Sequence, residues 1–275
     1  MIKSWNLSRN ILVVLIYRIL IVLFLFSLCR IGFYIFNLRM FPGIDVREFL
    51  SIMRGGLVFD ISATVYTNML FILMQILPFD FRYNNTYQKI SKYLFFISNG
   101  LMFAINCADF VYYRFVLKRA AFDIFKTFEN ESNLIKLFFQ FLIDYWQVTL
   151  FDIFILFLMV YLYNRIKPVR PQVSNKVLYY TLNILAIPVF AAFVIGGARG
   201  GLNESIRPIT ISNAARYVNN PRNVAIVLNT PFSLMRTSGK KVLEKYNFFD
   251  EAKLKELYNP HYIPDKENQF SAQNV

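Results

Sequence analysis

Two cysteines and one histidine in 275 residues leave little material for disulfide or metal chemistry. Cys29 and Cys107 fall inside long apolar stretches, where no disulfide framework is needed and packing is the ordinary role. His261 stands in a proline-flanked segment with no second histidine or cysteine at ligand spacing, so no metal site is assigned. Neither a Ser/His/Asp set nor a paired-carboxylate arrangement can be proposed for the polar C-terminal part, and no catalytic residue is assigned. The run Gly196-Gly197-Ala198-Arg199-Gly200-Gly201 lacks the Gly-Lys-Ser/Thr ending of a phosphate-cradling loop. It reads as a tight exit turn, where the backbone passes close to other spans or to a lipid headgroup. Acidic residues are also scarce, 17 against 30 Lys and Arg, for a net charge of +13. The basic residues are spread over loops with no recognition module among them, which excludes nucleic acid as a partner and points to membrane topology and anionic lipid.

What the chain has in abundance is apolar surface: 56% hydrophobic and 18% aromatic residues, with a mean hydropathy of +0.40. This is the composition of an integral membrane protein. The first apolar stretch, Ile11–Phe36, would be roughly 39 Å long as a helix, enough to cross a hydrocarbon core of about 30 Å with some tilt. It exceeds the apolar run of a secretion signal, and no small-residue cleavage site follows, so it is expected to be a retained anchor. Residues 57–79, 92–113, 148–163 and 177–197 meet the same test. The runs are continuous rather than alternating, and backbone amides in lipid must be satisfied internally, so helices are predicted rather than a barrel. The expected fold is all-α: a five-helix transmembrane domain over residues 1–197 and a juxtamembrane tail of short helices over residues 198–275.

Lys and Arg resist translocation. Lys3 and Arg9 precede span one; Arg82, Lys89 and Lys92 lie between spans two and three; Arg165, Lys167, Arg170 and Lys176 lie between four and five. The opposite loops mix their bases with Asp45, Glu48, Asp123, Glu129, Glu131 and Asp144. The expected topology is N-terminus cytoplasmic and C-terminus outside.

Span two carries Asp60, Thr64, Thr67 and Asn68 on one helix face, and span three carries Asn99, Asn106, Asp109 and Tyr113 on another. Neither face can look at lipid, and the two are expected to meet. Asp60 and Asp109 are each placed about one turn inside the outer boundary of their spans, with Arg30, Arg54, Arg114, Arg119 and Arg199 as nearby cations. Charges in hydrocarbon cost several kcal/mol, about 2.5–3.5 at a helix centre, unless paired. The cluster of Arg30, Arg54, Asp60, Asn68, Asn106, Asp109, Arg119 and Arg199 is therefore either a tie between helices or a polar pocket for a lipid headgroup. Arg18 and Asp152 are buried at depths that call for a partner, or for a snorkel to the interface in the case of Arg18.

Residues 134–146 alternate a Leu/Ile/Phe/Trp side with Lys136, Gln140 and Asp144 at i, i+4 and i+8. This predicts an amphipathic helix on the outer surface, either a connector or a gate for lateral lipid entry. In the tail, Ser212 is expected to cap a helix to Tyr217, Thr230-Pro231 to supply a cap and a first-turn proline, and Asp250 to cap residues 251–258. Pro260 and Pro264 then break the chain into an extended linker. The tail lacks a core of its own and is expected to pack on the membrane face or on a following domain.

Four segments taken together carry a family likeness. Arg54-Gly55-Gly56-Leu57-Val58-Phe59-Asp60, Asn106-Cys107-Ala108-Asp109 with Tyr113 and Lys118-Arg119, Arg199-Gly200-Gly201 with Arg207-Pro208, and Asn229-Thr230-Pro231-Phe232 resemble the N-terminal region of the lipoteichoic acid synthase family. Its members are membrane phosphoglycerol transferases of the sulfatase and alkaline phosphatase superfamily. The resemblance implies five membrane helices in a bacterial cytoplasmic membrane, phosphatidylglycerol as lipid partner, and an extracytoplasmic catalytic domain expected after residue 275. It also implies that the threonine nucleophile and divalent metal belong to that downstream domain, since no position here matches them. A passive anchor or assembly partner would need no lipid pocket. A small transporter would show paired interrupted helices and an internal repeat, and neither is evident in the sequence.

Overall fold

The computed structural model describes residues 10–125, 133–170, 176–201 and 208–239, with isolated positions 249–250, 253–254 and 257 beyond them. The chain divides into two compact units, Met1–Ser238 and Gly239–Val275. In the second, Leu254 N donates to Asp250 O at 2.8 Å, one helical turn; the rest of the expected 251–258 helix and the 260–264 linker lie outside the described residues.

Among the described residues every regular element is helical. The first unit contains α1 (Ile11–Phe36), α2 (Val46–Thr67), α3 (Met69–Ile76), α4 (Asn85–Val116), α5 (Leu134–Asp144), α6 (Trp146–Arg165), α7 (Lys176–Arg199), α8 (Val224–Val227) and α9 (Thr230–Thr237). Five of them, α1, α2, α4, α6 and α7, are long and apolar enough to cross a membrane. Local signals start the helices where the chain leaves its loops. Asn10, Asp45 and Asn84 accept from the first-turn amides of α1, α2 and α4 through their side chains, satisfying donors that a helix N-terminus leaves open.

Helix α1 is the hub and packs against α2, α4 and α6. Its buried face, including Val22, Leu25, Phe26, Cys29 and Phe33, meets Phe59 and Ala63 of α2, Phe103 and Phe110 of α4, and Ile155 of α6. Aromatic edges fix this core: Phe33 lies 5.7 Å from Phe110 and 5.2 Å from Tyr113, and Phe26 lies 5.0 Å from Phe103, between ring centroids, inside the range where tilted aromatic pairs attract. Both cysteines are free and buried there. Helix α7 packs mainly against α2 and α3 and exposes most of its apolar side chains, Val189, Leu185 and Phe193 among them.

Span two differs from its expected bounds of 57–79. Helix α2 begins at Val46, eleven residues before Leu57, and α3 carries the span on to Ile76. Asp60 thus lies about 21 Å from the start of α2 rather than one turn inside it. The polar stretch 46–56 is too hydrophilic to register as membrane-length sequence, and the chain's own tail covers one side of it, at Glu48, Ser51 and Gly55. Between α2 and α3 the helix is irregular at Asn68 alone. The ladder continues across it, Asn68 N to Thr64 O at 2.9 Å and Ile72 N to Asn68 O at 2.8 Å, so this is one helix with a local irregularity and not two half-helices.

Helix α5 forms over Leu134–Asp144, as the 134–146 pattern predicts. Gln140 Nε2 bonds both carboxylate oxygens of Asp144, at 3.1 and 3.2 Å, one turn on. Its apolar residues Leu137 and Ile143 are exposed, as a helix lying on a bilayer surface would present them.

Residues 208–238 form a layer across one end of the bundle, here the tail side, with Ile226, Val227 and Phe232 buried. Two caps fall earlier than expected. Thr210, not Ser212, begins the turn Ile211–Tyr217, its N–H donating to Asn213 Oδ1 at 2.7 Å. Asn229, not Thr230, caps α9 by accepting from Phe232 N at 2.8 Å. Asn229 sits where its side chain reaches the amide three residues on, whereas the Thr210 carbonyl accepts from Asn213 N at 3.0 Å and its hydroxyl donates to Asn213 Oδ1 at 2.8 Å.

Candidate functional site

Two buried ion pairs lie where the tail meets the bundle. Arg30 of α1 pairs with Asp60 of α2 at 2.5 Å, and Arg119, just after α4, pairs with Asp109 of α4 at 2.8 Å. All four residues are buried, none more than 5% exposed. Such pairs hold only when their remaining polar atoms find partners, and here the partners come from the tail. Asp60 Oδ1 also accepts from Asn229 Nδ2 at 2.8 Å, and Asp109 Oδ2 from Thr230 Oγ1 at 2.7 Å. Asn106 Oδ1 takes the Thr230 N–H and hydroxyl, both at 3.1 Å. In return, Arg30 donates to Ile226 O at 2.6 Å and to Val227 O, while Arg119 Nε donates to Ala225 O at 2.8 Å. Asp109 Oδ1 further accepts from Ala120 N at 2.9 Å. Adjacent tail residues thus bind the two carboxylates, which puts Asp60 and Asp109 at one level.

Local sequence makes room for this. A Cβ on Gly56 would stand 2.1 Å from Arg30 Cζ, and one on Gly55 would stand 2.3 Å from Cγ of Tyr217. The glycine pair therefore lets the Arg30 guanidinium lie along α2 to reach Asp60 and lets a tail aromatic lie flat on the same turn. Two turns earlier, buried Glu48 accepts from Asn219 N at 3.0 Å and from Asn223 Nδ2 at 2.9 Å, and one turn earlier Ser51 Oγ donates to Tyr217 O at 3.0 Å. Burial lowers the pKa of Arg119 from its ordinary value, and the Asp109 carboxylate opposes that shift. The Arg119 guanidinium also sits 3.6 Å from the Phe33 ring centroid, a cation–π contact that offsets lost hydration.

The remaining residues of the expected cluster are elsewhere. Arg54 is exposed and takes no part in either ion pair. Asn68 lies about 12 Å further along the helix from Asp60 and forms a reciprocal amide pair with Asn99, at 2.9 and 2.7 Å, so the two polar stripes meet there directly. Arg199 closes α7, and its carbonyl accepts from Ile209 N at 3.1 Å. The preceding carbonyl, Ala198 O, accepts from Ser62 Oγ at 3.1 Å and Arg236 Nη2 at 3.2 Å, which fastens α7 to α2 and α9. Arg114 bonds Asn37 Oδ1 at 3.2 Å and Phe36 O, closing the end of α1.

At the opposite end of the bundle two arginines are buried with no carboxylate partner among the described residues. Arg18 lies 3.9 Å from the Tyr163 ring centroid, so an aromatic face is the partner its depth calls for. Arg82 is only 1% exposed. It donates to Leu77 O at 3.1 Å, Tyr179 Oη at 2.9 Å and Asn183 Oδ1 at 2.7 Å, joining the end of α3 to α7. Asp152 Oδ1 is buried with no hydrogen-bond partner.

Sequence reasoning made Thr230 a helix cap, took Asn229 only as part of a family likeness, and missed that the two bind the buried carboxylates. A cap motif is readable from local spacing, but a contact across 169 and 121 residues is not. Among the described residues no group of three or more His, Cys, Asp or Glu could hold a metal ion, and no step is derived through one. No protein-family model matches the chain, and neither a curated protein nor a solved structure matches it.

Proposed function

We propose that this chain is the membrane-spanning part of a phosphoglycerol-transferase-like enzyme of the bacterial cytoplasmic membrane, with N-terminus inside and tail side outside. Its work in that reading is to seat the juxtamembrane segment rigidly at the outer surface, so that a downstream catalytic domain is held against the lipid headgroups it uses. One observation carries the reading. Three of the four segments that resemble the lipoteichoic acid synthase family, 54–60, 106–119 and 229–232, are far apart in sequence yet converge on the two ion pairs, through Gly56, Asp60, Asn106, Asp109, Arg119, Asn229 and Thr230. Divalent-metal and nucleophile chemistry belong to the downstream domain in this reading, and phosphatidylglycerol is the lipid partner.

The geometry favours a tie over a lipid pocket at Asp60 and Asp109 themselves, because the chain's own Asn229 and Thr230 take up their hydrogen bonds. An assembly-only anchor is the competing reading, and the two separate in one assay. Membranes carrying the full-length gene product are incubated with phosphatidylglycerol labelled in its headgroup glycerol. Transfer of label to a water-soluble or polymeric product is the expected result; intact lipid at normal protein abundance leaves only the anchor.

A further inference from the structure

On the tail side, beside the Asp109–Arg119 pair, a depression of about 190 Å³ opens between the end of α4 and α8. Leu117, Lys118, Arg119, Arg222, Val224 and Leu228 line it, and no carboxylate is among its lining residues. Lys118 and Arg222 are exposed, whereas Arg119 is 5% exposed and forms part of the wall. Three cations thus converge on one concavity, and Asp109 neutralises only the buried one. The backbone is bent to bring them there. Leu117 ends α4 in the left-handed region, at φ 55° and ψ 23°, where a residue with a Cβ is strained and glycine is the usual occupant. That turn takes Lys118 and Arg119 off the helix axis and into the depression. Strain kept at a functional position is a recognised pattern.

We propose that this depression binds a phosphate-bearing group. Lys118 and Arg222, two cations with no ion pair among the described residues, match the one to two negative charges of a phosphate ester, whose several acceptor oxygens suit an Arg fork and a Lys ammonium together. The volume far exceeds the roughly 30 Å³ share of one water and admits a phosphate with its first ester substituent. The surroundings set the level at which it opens: Phe115 is 73% and Leu117 65% exposed, with Phe122 and Phe125 also exposed alongside. Apolar side chains next to basic ones are the pattern of a membrane–water interface, so a lipid headgroup and a free phosphate ester are both within reach. The inference rests on the outward orientation of the tail side in the proposed function, but not on any turnover.

The test uses the full chain purified in neutral detergent. Binding of phosphatidylglycerol and phosphatidylcholine is read by native mass spectrometry, and binding of glycerol 1-phosphate and inorganic phosphate by calorimetry. The comparison variant is Lys118→Gln with Arg222→Gln; both are exposed side chains outside the ion pairs, so the melting temperature should be unchanged. The expected result is binding of at least one phosphate source that weakens tenfold or more in the double variant. Preference for phosphatidylglycerol over phosphatidylcholine, with weak glycerol 1-phosphate binding, identifies the lipid headgroup. Equal binding of the soluble ester identifies a free phosphate. Undiminished binding in the double variant, or no binding of any probe, overturns the proposal. Because the readout is occupancy, a negative result leaves the label-transfer assay to decide the proposed function by itself.

Discussion

Arg30→Met is expected to destabilise the folded chain by about 3–5 kcal/mol, the usual cost of leaving a buried partner charge uncompensated. Asp60 has no exposed surface, and its Oδ2 has no hydrogen-bond partner to fall back on. Without the guanidinium, Asp60 retains only the Asn229 amide, and the Ile226 and Val227 carbonyls lose their donor. Thermal unfolding in detergent and protein abundance in membranes would both fall sharply. The paired change Arg30→Met with Asp60→Leu should recover a large part of the loss, because the desolvated charge is then gone as well. Recovery stays incomplete, since the tail amide and carbonyls still lack partners. If the double variant proved no more stable than the single one, Asp60 would not be a charge held in place by Arg30.

The second large effect concerns the tail. Asn229→Ala removes the α9 cap, worth about 1 kcal/mol, and a hydrogen bond to a buried carboxylate, worth about 1.5–3 kcal/mol. Adding Thr230→Val removes the bond to Asp109 and one of the two bonds to Asn106. Together these release residues 208–238 while leaving the α1, α4 and α6 core untouched, because no core aromatic contact passes through Asn229 or Thr230. The expected outcome is rapid proteolytic cleavage within 208–238, with the protected membrane fragment unchanged in size and melting behaviour. Wild-type resistance to cleavage in the double variant would mean that the apolar contacts of Ile226, Val227 and Phe232 hold the tail unaided.

These two effects mark the boundary between what the sequence discloses and what it does not. Five apolar runs are legible because hydropathy is additive along the chain: the first coincides with its helix, Ile11–Phe36, and the third, fourth and fifth lie inside helices that extend them at both ends. The N-terminal half of α2 is not legible in this way. Glu48, Arg54 and Gly55-Gly56 look like loop, and it is the covering tail that buries one face of this helical stretch, through Tyr217 on Gly55 and Asn219 on Glu48. The carboxylates and most of their cations announce themselves, because a charge in an apolar run is conspicuous. Which cation pairs with which carboxylate is not announced. Arg54 stands six residues from Asp60 and remains exposed, while Arg30 reaches it from another helix because Gly56 lacks a side chain. Caps are legible to within one or two residues, since Asn, Ser and Thr compete for the same amides. The contacts of Asn229 and Thr230 belong to tertiary structure and have no local signature.

The proposed function requires the tail side of the bundle to face outward. Its buried native cysteines, Cys29 and Cys107, give a low background for thiol labelling. Single cysteines at exposed Arg222, on the tail side, and at exposed Lys167, at the opposite end, can be probed in intact cells with a membrane-impermeant maleimide. Arg222→Cys should label in intact cells and Lys167→Cys only after permeabilisation. The reverse pattern would put the tail in the cytosol and contradict the account.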